Sequence, residues 1–165
     1  MSEERFGLIG EAEVSTAIVD LLNDCEFLAD PVSFATMDDA GLSLYPTAAG
    51  VIESETHDIT DKVTQRCAYS FALVMREYGQ NEERKVDAKA KLDAVGRWLS
   101  REPVNVNGTT YQLTEYPALP DGRAFLDITR TSSAALDGVT EDQSEIWAIT
   151  MRAVYKNEFT KTPIL

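Results

Sequence analysis

Residues that carry chemistry are scarce in this chain. It has one histidine, His57, and two cysteines, Cys25 and Cys67, among 165 residues. Nucleophilic catalysis holds a Ser, Cys or Thr beside a base, so a lone imidazole leaves a Cys67–His57 dyad as the one pairing to weigh. Cys67 falls on the apolar side of an alternating segment, where a thiol behaves as a small hydrophobe. No Gly-x-Ser-x-Gly elbow occurs. Two cysteines make no disulfide framework, and both read as buried thiols of a reducing compartment. No run reaches the ~18 apolar residues that a membrane span needs. The opening Met-Ser-Glu-Glu-Arg-Phe lacks a basic region followed by an apolar run, so no secretory signal is expected.

Basic residues are nearly missing from the first third. The net charge is −13, and residues 1–61 hold 14 of the 28 acids against a single base, Arg5. Affinity for a nucleic-acid backbone comes from Lys and Arg displacing counterions, so direct phosphate binding is disfavoured. An acidic face can repel DNA, mimic it, meet a basic partner or keep the protein soluble.

Metal and phosphate motifs are also thin. Glu53, Glu55, His57, Asp58 and Asp61 form the one dense group of potential ligands, and a solvated loop is the simpler reading. Asp137-Gly138-Val-Thr-Glu141-Asp142 lacks the alternating oxygens and distal Glu of an EF-hand. Gly7-Leu-Ile-Gly10 has no Lys-Ser/Thr and no third glycine, so it reads as a flexible lead, not a phosphate cradle. Arg66, Arg130 and Arg152 lie on expected strands, where ion pairs with Asp127 are their expected use. The many acids make some carboxylate proximity inevitable, and nothing marks one pair as glycosidase-like. No residue is singled out as catalytic, cofactor-binding or metal-ligating. No cofactor is expected, and the chain is not read as an enzyme.

What is present is pattern. The 44% hydrophobic content suits a globular protein, and the length suits one domain over 1–165, with 1–10 as a lead. Val14, Ala17, Ile18, Leu21, Leu22 and Cys25 recur at helical spacing between Glu11 and Leu28, and Pro31 stops that helix. Leu42 to Tyr45 alternates and ends at Pro46. Val51-Ile52 opens another short strand, and residues 53–61 are expected to be a loop.

A long strand is expected from Val63 to Met75. Its bulky face (Val63, Cys67, Tyr69, Phe71, Leu73, Met75) suits a core, and its small face (Thr64, Arg66, Ala68, Ser70, Ala72) suits close approach to another surface. Gly79 breaks it. A second helix then starts at an Asn81 N-cap, buries Ala88, Leu92, Val95 and Leu99 with Trp98 beside them, and stops before Pro103.

The last third reads as β structure. Asn107-Gly108 marks a tight hairpin between Val104–Val106 and Thr109–Leu113. Pro120-Asp121-Gly122 turns into a strand over Phe125–Thr129. Glu145–Tyr155 is its antiparallel partner, with Trp147, Ile149, Met151 and Tyr155 on one face. Residues 134–143 between them are expected to be a protruding hairpin loop. The fold class is therefore α+β: a mixed, mostly antiparallel sheet of about four to six strands, two flanking amphipathic helices and a long C-terminal hairpin.

That layout resembles the tail terminator (minor capsid, head–tail joining) proteins of long-tailed phages. The likeness runs from the first helix through Asp58-Ile-Thr-Asp61, which opens the long strand ending Phe71-Ala-Leu-Val-Met-Arg76. It continues through the helix closing on Trp98-Leu99 to the two C-terminal strands. The acidic loop 134–143 has no counterpart in the family pattern. The resemblance implies a homo-oligomer, a ring of typically six copies that caps the tail tube and docks the head–tail connector. It also implies virion localisation after synthesis in the host cytoplasm, with genomic DNA as passing cargo and no membrane. Glu11, Glu13, Asp20 and Asp24 would then suit a channel wall that repels DNA. Another head-completion protein is the near alternative. An acidic DNA mimic that binds a basic protein and a carboxylate enzyme with a metal near His57 are the distant ones.

Overall fold

The structure is a computed structural model that describes residues 11–29, 31–36, 41–77 and 82–164. The expectations for Gly7–Gly10, Gly79 and the Asn81 cap lie outside the described residues. Chain order is α1 (Glu11–Asn23), β1 (Val32–Phe34), β2 (Leu42–Pro46), β3 (Val51–His57), β4 (Lys62–Glu77), α2 (Glu82–Leu99), β5 (Val104–Val106), β6 (Thr109–Tyr111), β7 (Arg123–Arg130), β8 (Ala135–Val139) and β9 (Glu145–Thr160). The α+β class holds. The main sheet has seven strands, more than the sequence suggests, and β5–β6 forms a separate two-stranded sheet.

The spine of the sheet is β4 against β9, paired antiparallel from Lys62↔Thr160 to Glu77↔Glu145 without a shift of register. On one flank of β4, β2 pairs its second half and β3 its first half, and β1 extends β2 in parallel. On the far flank of β9, β7 and β8 pair its two halves in the same fashion.

Alternation sorts the residues onto two faces. Tyr69, Phe71, Leu73, Ile149, Met151, Ala153 and Tyr155 share one face and belong to the core cluster. Val14, Ile18 and Leu22 of α1 and Leu92, Val95 and Leu99 of α2 pack on that same face. The Ser15 hydroxyl donates to the Tyr69 hydroxyl at 2.7 Å, tying α1 to β4.

Several boundaries differ from the sequence reading. α1 ends at Asn23, not near Leu28, because the Asn23 side chain bonds both backbone groups of Val32 (3.1 and 2.9 Å), turning the chain toward β1. Residues 53–57 are strand, not loop, and only 58–61 turn. All of β3 is exposed, so it has no buried face and no alternation to betray it. Residues 135–139 are strand β8, and the hairpin tip shrinks to Thr140–Gln143, closed by Thr140 N–H to the Ser144 carbonyl. α2 ends with Arg101 at φ 63° and the Glu102 N–H on the Arg97 carbonyl, a left-handed cap formed without glycine. Asn107 and Gly108 both have positive φ, as their hairpin requires.

Ile149 is fully buried between β9 and α2, where its Cδ1 lies under Gly96. Ile149→Ala is expected to cost about 2–5 kcal/mol, measured as a lowered urea midpoint with unchanged slope.

Candidate assembly surface

The second face of the sheet carries the small residues: Ala68, Ser70, Ala72 and Val74 of β4, with Ala148, Thr150, Arg152 and Val154 opposite them on β9. None of these belongs to the core cluster. Ala68, Ala72, Val74 and Val154 are nevertheless buried. They are shielded by their size and by longer neighbours, such as Tyr45, which stands opposite Ala72. The face is about 50 Å long and ~19 Å across four strands, on the order of 1,000 Å². The exposed strand β3 flanks one end of it with its outer edge unpaired among the described strands.

The charges lie at that end. Glu53 sits at the register shift between Ile52 and Ser54 and reaches over the sheet. Its carboxylate accepts from Arg66 at 3.2 Å and pairs with Arg152. These two arginines flank the Ala68↔Val154 pair, so Glu53 straps three strands together across it. Lys62 and Lys156 both approach Glu158, at 3.7 and 3.2 Å. Arg66 and Lys62 side chains are half exposed (52% and 50%), whereas Glu53 and Glu158 are lower in the surface (24% and 29%). The outermost charge on this end is therefore positive. Arg66 and Arg152 do not pair with Asp127 as expected, because the bulge brings Glu53 closer. Arg130 pairs with Glu102 at 3.1 Å, and Asp127 accepts from its neighbour's Ile128 N–H.

The five candidate ligands between 53 and 61 do not converge. Glu55 and His57 share one face, 2.9 Å apart, and Glu55 also accepts from Gln65 at 2.7 Å. The Gln65 bond, then His57, holds the Glu55 carboxyl below its ordinary range. Glu53 points to the other face. Asp58 closes the β3–β4 turn by accepting from Thr60 and Lys62 N–H groups at 2.9 and 3.0 Å. Among the described residues no three of His, Cys, Asp and Glu are grouped to hold a metal.

Cys67 is fully buried opposite Tyr155 and Ile52, four register positions from the Val63↔His57 pair, so strand geometry separates thiol from imidazole by about 13 Å. Burial pushes the Cys25 thiol up to about 11 and also raises Cys67. The sequence reading missed Glu53 as the organising carboxylate. Its strand looked like loop, and a bulge leaves no mark in polar sequence.

No family model and no curated protein matches the chain. Solved structures that match include one covering 93% of this chain and 96% of its own, at 15% identity and TM-score 0.37, a likeness that carries no argument about fold or function. No described helix is long and apolar enough to cross a membrane.

Cys25, Cys67 and Tyr155 all have folded-state pKa values raised by burial. A raised value means their contribution is full below the unfolded pKa and fades as pH climbs through the folded one. Stability is therefore expected to fall between pH 9 and pH 11, read by urea unfolding across that window. Thiol reagents are expected to label both cysteines only on unfolding.

Proposed function

We propose that this chain is a structural subunit that works by assembling with other protein chains, and that its setting is the neck of a phage virion, as a tail terminator. In that reading copies form a ring on the tail tube and present a surface to the head–tail connector, without cofactor or catalysis. The observation that carries it is a second sheet face whose small residues lie outside the core cluster. A sheet normally buries an apolar face against a second layer, and here the helices share the core cluster with the first face while Ala68, Ala72, Val74 and Val154 of the second lie outside it. The extent of the second face, on the order of 1,000 Å², compares with the ~800 Å² per partner of a standard interface.

The open edge of β3 offers a second mode, since an unpaired edge strand can add a strand from a neighbour. Glu53 and Glu55 on that strand act against indiscriminate pairing. The sequence resemblance supplies the phage setting, and the fold is compatible with it.

Sedimentation velocity and electron microscopy of the purified protein, alone and with phage tail tubes, test the proposal. Rings, or recruitment onto tubes, are the expected result. Ser70→Glu, in the middle of the same face at a half-buried position, is expected to keep the fold by circular dichroism and to lose assembly. A chain that stays monomeric in both settings would remove the reading. Turnover of a small substrate that depends on His57 or its neighbouring acids would replace it with an enzyme.

A further inference from the structure

The open face ends in outward positive charge, and the same chain carries a matching surface on its opposite side. The wet side of α1 presents Glu13 and Asp20, and Asp24 follows just past the end of the helix. With Pro117–Pro120 they line a groove of about 350 Å³. Among the described residues none of these three acids takes part in an ion pair.

Their placement works against the fold. The last turn of α1 has no basic residue, and carboxylates near a helix C-terminus meet the negative end of its dipole. Asp24, just past the end of the helix, also adds a second carboxylate at the end where Asp20 already stands, and like charges that near repel. A cation supplied from outside relieves both penalties. The cationic surface this chain can supply is the end of the open face, where Lys62 and Lys156 pair with Glu158 and Arg66 and Arg152 pair with Glu53, with Arg66 and Lys62 the more exposed.

We propose that copies associate head to tail, the acidic side of α1 in one copy seating on the basic end of the open sheet face in the next. This rests on the assembly reading above and names its contact. α1 packs on the core face of the sheet, so the two patches point to opposite sides of the molecule. A contact between them is heterologous, using different surfaces on the two copies, and repeats around a ring or along a filament. It assigns Asp20 and Asp24 to a subunit contact in place of the DNA-repelling wall considered from sequence.

The test is charge reversal in the full chain, read by sedimentation velocity. Lys62→Glu with Arg66→Glu, and separately Asp20→Lys with Asp24→Lys, are each expected to weaken self-association about tenfold or more, because like charges then face each other. Mixing the two reversed chains restores association, since each reversed patch now meets its complement. So does combining all four changes in one chain. If reversal at Lys62 and Arg66 prevents folding, Lys62→Gln with Arg66→Gln is expected to weaken association in the same direction. Wild-type self-association that survives both reversals, or a mixture that fails to recover, overturns the contact and leaves the assembly reading standing. A wild type that never associates, with tail tubes or without, overturns both.

Discussion

The pairing of Lys62–Glu77 with Glu145–Thr160 is the constraint on which the rest of the molecule is arranged. Two strands this long, in unbroken register, fix which residues face the helices and which face away. Period-two alternation then puts Tyr69, Phe71, Ile149 and Tyr155 together on the covered side and leaves the small residues on the other. Every other strand of the main sheet is added on one flank or the other of this pair, and β5–β6 stands apart as its own sheet. β2 and β3 divide the β4 flank and β7 and β8 divide the β9 flank, so the additions are short while the spine is continuous. The two flanking rows are interrupted at bulges, and at one of them Glu53 is released to reach over the sheet.

The asymmetry of the two faces follows from economy of side-chain size. Helices are broad and need large apolar residues to fill the space beneath them, which the core face provides. The other face has alanine, serine and threonine where a helix would leave voids. A closer-fitting surface, such as another sheet or a helix laid flat, suits it better. The charged end of the same face limits how such a surface can be oriented, because the strap of Glu53 across Arg66 and Arg152 gives that end a fixed pattern of sign.

Much of this was legible in the sequence. The strong alternation of Val63–Met75 and Glu145–Tyr155 identified both spine strands and their buried faces, and the spacing of Val14, Ile18 and Leu22 identified the buried stripe of α1. Asn107-Gly108 located its hairpin because both positions require positive φ. The pairing of β4 with β9 was not legible, since periodicity fixes the faces of a strand but not its neighbour. Strand β3 was hidden for a different reason: Glu53-Ser-Glu-Thr-His57 has no buried side, so hydrophobic pattern says nothing about it. The end of α1 depended on a side chain, Asn23, bonding to a strand nine residues away, which no local rule predicts. The basic end of the open face was likewise invisible, because it gathers residues from β4 and β9.

The spine also sets a kinetic requirement on the chain. Its paired residues lie roughly 70 to 100 positions apart, with α2, the β5–β6 hairpin and strands β7 and β8 between them. Contacts so distant must overcome a large loop-closure entropy before they contribute, which places such a topology toward the slow end of the millisecond-to-second range. Until β9 arrives, β4 presents an open edge together with its apolar residues. Lys62, Arg66 and Arg76, spread along that strand, then act as gatekeepers against pairing with the wrong chain during synthesis.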